Sequence, residues 1–298
     1  MKKHFLFLVS CILLLNSCTS VIQVTVPNGS QLVVVDAFMD NSPNPQIVRL
    51  TFNANYFSNV STPPVLGATV GLTDLTNAKT YSFTPDGNGN YIYTPGVNDS
   101  MAQLHHKYQL NISYNGNTYN AVSTLNRTMA IDTIAFEIAT GPNYNLVPLS
   151  DTTKPRKFYP YVYAFDSTGP IHDYYWLKVF KNGVFYNQPQ QLDIFEDGGY
   201  GHNYDSDSLN PQYTFNGLTS DDNPIYRNDV CMVQAYSINS NTFDFLTQMK
   251  SQMTNAQNGL FAVTPQNVKT NIQQTNGTLQ AIGWFNIGEI SSKSVIAK

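Results

Sequence analysis

Residues 31 to 124 break into short runs that alternate apolar and polar side chains, each closed by a turn signal, and this pattern restricts the chain more than any other feature. Gln31 to Phe38, Gln46 to Phe52, Ala68 to Thr73, Lys79 to Phe83, Tyr91 to Thr94, Tyr108 to Tyr114 and Thr118 to Thr124 all have strand length. About seven strands in roughly a hundred residues, with no helical periodicity between them, predict an antiparallel sandwich of immunoglobulin-like architecture, because parallel pairing would need crossover helices. Asn115-Gly116 supplies the two adjacent positive φ values of a tight hairpin. Composition agrees. Charged residues make up 12% of the chain against a usual value of about 25%, and aromatics reach 13%. Low Lys and Glu with abundant Tyr, Asn and Thr suit strands and turns better than helices.

The hairpin signal recurs at Lys181-Asn182-Gly183, after the aromatic run Asp173 to Phe180. Further strands are predicted at Tyr159 to Asp166, Tyr174 to Phe180, Gln191 to Glu196, Tyr213 to Asn216, Asp229 to Tyr236 and Leu279 to Ile287. From Ser240 onward, Phe243, Leu246, Met249 and Met253 recur near helical spacing, with Asn239 or Ser240 as cap and Gly259 beyond the end. Thr140 to Lys157, with Pro142, Pro148 and Pro155, reads as a long surface loop. The expected fold class is all-β, mainly antiparallel. It comprises two β-sandwich domains: an immunoglobulin-like one over 28–130, and a second over 131–298 with one substantial helix near 240–256.

Met-Lys-Lys-His followed by the apolar run Phe5 to Leu15 reads as a signal peptide over residues 1–17, since the run is far too short to cross a bilayer of roughly 30 Å as a helix. It ends in Leu15-Asn16-Ser17-Cys18, which resembles the bacterial lipobox, whose cysteine receives diacylglycerol and acyl chains such as palmitate. Lipidation of Cys18 and a tether over 18–27 are therefore expected. With Cys11 removed and Cys18 lipidated, Cys231 is left as the lone thiol and no intramolecular disulfide forms. In Val230-Cys231-Met232-Val233-Gln234-Ala235-Tyr236 it shares a face with Val233 and Ala235, as a buried small hydrophobe would.

A net charge of -4 disfavours a nucleic-acid partner, which needs a basic surface. Chemistry is hard to find. The chain carries no H-E-x-x-H, C-x-x-C, G-x-S-x-G or G-x-G-x-x-G motif, so no catalytic residue, metal centre or cofactor is assigned and the chain reads as a non-enzyme. Within the acid-rich stretch Asp193 to Asp207, Asp205 and Asp207 are weak calcium candidates, but the spacing is not that of an EF-hand and the stretch reads as a solvated loop. Tyr174, Trp176, Tyr200 and Tyr204 cluster in sequence around the same segment. They are the candidates for a sugar- or peptide-binding platform, though on a strand every second ring would face the core.

Leu32-Val33-Val34-Val35-Asp36, Pro45 to Leu50, Ala54-Asn55-Tyr56-Phe57 and Pro63 to Val70 resemble, in order and spacing, the lipoproteins of the domain-of-unknown-function 4249 family of Bacteroidota. Tyr175-Trp176, Phe195-Glu196-Asp197-Gly198, the helix from Ser240, Gly259-Leu260-Phe261 and Gly283-Trp284-Phe285 extend the resemblance over nearly the whole mature chain. It implies a cell-envelope lipoprotein attached to the outer membrane and working beside a TonB-dependent receptor-like barrel, as an accessory binding module for nutrient capture or uptake. The alternative is a free-standing glycan- or peptide-binding surface protein. The family supplies no catalytic residues. Bacteroidota also glycosylate Ser or Thr in short Asp-Ser/Thr motifs, which here designate Ser100, Thr133, Thr152, Ser167 and Ser208. No acid follows Cys18 in Thr19 to Gln23, a departure from many family members that leaves the outer or periplasmic face open.

Overall fold

A computed structural model describes residues 29–54, 60–97, 99, 101–138, 157–165, 172–196, 224–255 and 268–298. Of two compact units, one holds residues 1–30 and 54–60, of which 29, 30, 54 and 60 are described. The other, Gln31–Asn53 with Ser61–Lys298, contains every element named below. No helix among the described residues is long and apolar enough to cross a membrane.

The N-terminal sandwich is built from β1 (Val33–Asp40), β2 (Gln46–Phe52), β3 (Thr69–Asp74), β4 (Lys79–Ser82), β5 (Thr84–Pro85), β6 (Asn90–Tyr93), β7 (Lys107–Tyr114) and β8 (Asn117–Thr124). Alternation decides its faces: Val33, Val35, Ala37 and Met39 of β1 are buried, as are Tyr108, Leu110 and Ile112 of β7, while the residues between them turn outward. Asn115 and Gly116 take φ of 44° and 76° in the β7–β8 hairpin, whose register closes on Tyr114 and Asn117. Tyr91 reaches across this core. Its hydroxyl donates to the Val65 carbonyl (2.9 Å) and accepts from the Ala68 amide (2.9 Å), which ties the segment before β3 to β6.

Both sheets are completed from the far end of the chain. β16 (Gln273–Asn276) adds antiparallel to β8, giving the order β16-β8-β7-β3-β4, and β17 (Ala281–Gly288) adds parallel to β1, giving β17-β1-β2-β6-β5. A boundary at 130/131 therefore does not divide the strands between the sandwiches, because residues 273–288 belong to the first one. Open edges at β1 and β8 accept these strands, and Phe285 and Ile287 enter the first core. Among the described residues β1–β17 is the one parallel ladder, and the chain between its strands runs through the rest of the first sandwich and through the second up to α1, with β18 following afterwards.

The second sandwich faces β9 (Ala130–Ile138), β10 (Lys157–Phe165) and β14 (Ile225–Tyr226) against β11 (Tyr174–Lys181), β12 (Val184–Phe185), β13 (Asp193–Glu196), β15 (Val230–Ile238) and β18 (Ile290–Ile296). Ile134, Phe158 and Val162 from one sheet meet Tyr175, Leu177, Val179, Cys231 and Val233 from the other. β18, with the polar sequence ISSKSVI, and β16, with QQTN, carry little apolar signal and are strands through pairing with β15 and β8. The architecture is all-β and mainly antiparallel, with two sandwiches and, among the described residues, one long helix. Tyr213 to Asn216 and Gly259 lie outside the described residues.

That helix, α1 (Ser240–Thr254), starts at Asn239, whose side-chain oxygen accepts from the Thr242 amide at 2.8 Å. Its buried residues are Thr242, Phe245 and Leu246, whereas Met253 is exposed. Of the Phe243/Leu246/Met249/Met253 stripe expected from spacing, Leu246 is buried and Phe243 and Met249 pack against the same cluster, and Phe245 joins them by stacking at 4.5 Å on the indole of Trp284 of β17.

Candidate functional site

α1 closes one side of a third apolar cluster, where the outer faces of the two sandwiches meet: Leu192, Tyr236, Ile238, Phe245, Leu246 and Trp284, with Phe38, Tyr174 and Trp176 packed against them. A buried polar network runs through it. Asn286 donates through Nδ2 to the Tyr236 hydroxyl (2.9 Å) and to the Ser237 carbonyl (3.2 Å). Tyr236 in turn donates to the Met39 carbonyl at 2.7 Å. Thr242 Oγ1 accepts from Trp284 Nε1 (2.8 Å) and lies 2.9 Å from Asn286 Oδ1 and 2.8 Å from Asn239 Oδ1, sharing its single proton between them. With its polar groups paired, such a network locks one arrangement. A strap beside it reinforces the join: Arg127 pairs with Asp173 at 2.6 Å, and the Thr128 amide donates to Glu289 at 2.9 Å.

The sequence candidates fare unevenly. Tyr174 and Trp176 occupy the outer face of β11 while Tyr175 between them is fully buried, as strand alternation requires. Neither ring forms an open stacking platform. Trp176 is enclosed by Phe38, Phe185 and Tyr236 at 5.6, 6.2 and 6.3 Å, and Tyr174 packs on Phe243 at 5.3 Å and His172 at 4.9 Å. Thr133 is exposed on β9 opposite Tyr163. Cys18, Ser100, Thr152, Ser167, Tyr200, Tyr204, Asp205, Asp207 and Ser208 lie outside the described residues. Cys231 is buried, and burial pushes its thiol up to about 12, so it packs as a small hydrophobe.

What the sequence reading did not single out is the charge beside Trp176. Lys178 Nζ stands 4.3 Å from the Trp176 ring centroid and 4.2 Å from that of Tyr236. Desolvation pushes its pKa down to about 8 against the pull of Asp40 and Asp36. Asp36 lies exposed on the outer face of β1. On β13, Asp193 is pushed up to about 6 by desolvation, with Lys250 opposing, and among the described residues its Oδ2 and Trp176 Nε1 are buried without a hydrogen-bond partner. Lys178 precedes a hairpin in an alternating strand and looks like any outward lysine; the second ring that covers its ammonium, Tyr236, comes from β15.

Elsewhere, a shallow hollow of about 420 Å³ at the corner between β4 and β6 is lined by Ser82, Thr84, Asp86, Ile92, Tyr93 and Thr94. Asn88 and Asn90 amides hold Asp86 Oδ1 at 2.7 and 3.1 Å, and these hydrogen bonds keep its carboxyl below the ordinary range. No group of three or more His, Cys, Asp or Glu among the described residues could hold a metal ion.

Fold and seam together define a class: a two-sandwich β-protein with a helix-plugged aromatic join. The family described as Domain of unknown function (DUF4249) matches residues 19–294, and the chain belongs to it. No curated protein is similar to it in sequence. Solved structures with some likeness include part of a 1.5-MDa bacterial ice-binding adhesin concerned with host cell surface retention, 13% identical over 85% of this chain and 65% of that one, with a TM-score of 0.19. Others are the chicken CNTN1 FN1-FN3 domains (11%, 69% and 60%, TM-score 0.23) and a Ca2+-stabilized adhesin with which an Antarctic bacterium binds ice (14%, 86% and 49%, TM-score 0.17). The chain spans less than two thirds of each, and the likeness is remote.

Proposed function

We propose that this chain is an outer-membrane lipoprotein, held by lipid on Cys18, whose joined sandwiches serve as a non-enzymatic accessory binding module for a TonB-dependent receptor-like barrel. The observation that carries the reading is the junction at Cys18: the family match begins at residue 19, directly after the lipobox cysteine. Two or three acyl chains anchor such a protein stably, where one would hold it only marginally. Confinement with a barrel in one membrane raises effective concentration, so modest contacts suffice. The paired network at Asn286 and Thr242 favours a module that presents its surfaces as one rigid body.

Affinity purification of the tagged chain from mild detergent tests the partnership. Recovery of a barrel in stoichiometric amount is expected; a chain that repeatedly purifies alone, with cross-linking finding no barrel, removes the partnership. Cys18→Ala abolishes lipid labelling and releases the chain from membranes, and retention of the unlabelled variant in high salt would refute the anchor. The hollow beside Asp86, with its hydroxyls and oriented carboxylate, favours one second reading, a free-standing glycan binder.

A further inference from the structure

The hollow at the corner between β4 and β6 has walls that are fixed before anything enters it. β4 and β5 are joined through Phe83, which is buried in the first core and whose amide donates to the Val70 carbonyl at 3.0 Å. The turn from β5 to β6 is clamped onto β2. The Gly89 carbonyl accepts from the Leu50 amide at 2.8 Å, and a Cβ at Gly89, where φ is 88°, would stand 2.7 Å from the Leu50 carbonyl oxygen. On that turn Asp86 Oδ1 accepts from the Asn88 and Asn90 amides, and Oδ2 accepts from Asn90 Nδ2 at 2.8 Å. A carboxylate has about four acceptor positions, so these bonds aim the group without filling it. On β6, Tyr93 donates its hydroxyl to Asp99, whose other oxygen accepts from the Met101 amide at 3.0 Å. The Tyr93 ring packs on Tyr81 and Phe83 at 5.4 and 5.7 Å.

Apolar surface from Pro85, Ile92 and Tyr93 lies there beside the hydroxyls of Ser82, Thr84 and Thr94, which among the described residues bond no other protein group. Among the described residues that line the hollow Asp86 is the only charged one, and the Lys79 ammonium is held by Asp99 at 3.4 Å. A volume of about 420 Å³ falls at the lower end of the roughly 300–1,000 Å³ of small-molecule sites. We propose that this hollow is a subsite for an uncharged pyranose sugar, with Asp86 accepting from a ring hydroxyl, Ser82, Thr84 and Thr94 bonding others, and Pro85, Ile92 and Tyr93 supporting the ring's C–H faces. The subsite rests on the glycan reading of this hollow and narrows it to uncharged sugars. A carboxylate takes a sugar hydroxyl in a charge-assisted bond, Ser and Thr hydroxyls both donate and accept as sugar hydroxyls do, and the C–H faces of a pyranose pack on aromatic and aliphatic surface. An acidic sugar brings a second negative charge to a rim that already carries Asp86, where like charges repel. An ammonium ligand would satisfy Asp86 and leave the hydroxyls of Ser82, Thr84 and Thr94 unused.

The test uses the full chain in micelles of a sugar-free detergent. The neutral probes are the methyl glycosides of glucose, galactose and mannose, each set against the uronide made by oxidising its C6, with binding read by saturation-transfer NMR titration. At least one neutral glycoside is expected to bind in the millimolar range. Its uronide binds about tenfold more weakly at low salt, and the gap narrows as salt screens the repulsion. Asp86→Asn weakens the neutral glycoside roughly tenfold, because a bond to a charged acceptor is lost, and removes the penalty on the uronide. Thr84→Val, at an exposed edge position, weakens it about threefold and decides the matter should Asp86→Asn shift the thermal transition. Neutral binding indifferent to both variants overturns this subsite and leaves the glycan reading at another place on the chain. A uronide bound as tightly as its neutral parent overturns the restriction to uncharged sugars. Absence of binding by every probe overturns the subsite and the glycan reading together. A chain that purifies without a barrel yet binds the neutral glycoside through Asp86 loses the partnership and keeps this site.

Discussion

Thr242→Val separates two accounts of the seam between the sandwiches. Thr242 is fully buried, and valine matches its shape while replacing the hydroxyl by a methyl group. Counted as apolar burial alone, the exchange would stabilise by up to about 1 kcal/mol. Counted through the network, it strips the acceptor from Trp284 Nε1 and the donor from Asn286 Oδ1, both inside the cluster that α1 covers. Two hydrogen bonds at about 1 kcal/mol each, plus the desolvation left on the stranded indole N–H, give a loss of about 3 kcal/mol. That corresponds to a fall of roughly 6–12 °C in melting temperature for a chain of this size. Both tryptophans of the chain, Trp176 and Trp284, sit in the seam, so tryptophan fluorescence during urea unfolding reads this region directly. Thr242→Ser, which keeps the hydroxyl and loses a methyl, is expected to cost only about 1 kcal/mol. A valine variant at least as stable as the parent, or a serine variant less stable than the valine one, would refute the network account.

Asp193 gives a pH-dependent counterpart. Its carboxyl is raised from 3.8 to about 6 in the folded chain, so the protonated form favours folding: that contribution is whole below the unfolded value and is lost as pH rises through about 6. Asp193→Asn should therefore gain about 2 kcal/mol on the parent between pH 4 and pH 7.5, and a difference that stays flat in urea titrations over that range would count against burial as the cause. Gly283 takes a φ of 110° in β17, and a Cβ there would collide with the Val35 carbonyl oxygen across the parallel ladder. Gly283→Ala should lower the melting temperature by about 8 °C or more through strain and loss of the β1–β17 pairing, and a variant that melts with the parent would show that this ladder is dispensable.

By itself the sequence determined the local periodicities. Val33, Val35, Ala37 and Met39 specify which face of β1 is inward, Asn115-Gly116 and Asn182-Gly183 specify where two hairpins turn, and Asn239 specifies where α1 begins. These are readable because side-chain alternation, positive φ and capping depend on residues a few positions apart. Tertiary structure alone decided the rest. Period-two patterning orients a strand but does not name its neighbour, so the parallel docking of Ala281–Gly288 beside β1 was hidden until the open edge existed to receive it. The polar runs of β16 and β18 are strands only because β8 and β15 offer unpaired backbone groups. Trp176 is partly covered because Phe38 and Tyr236 close around it, and Lys178 acquired its perturbed amine because packing over the Trp176 and Tyr236 rings desolvates it, against the opposing pull of Asp40 and Asp36. Burial and electrostatics act through space, and the distances that govern them are set when the two sandwiches meet.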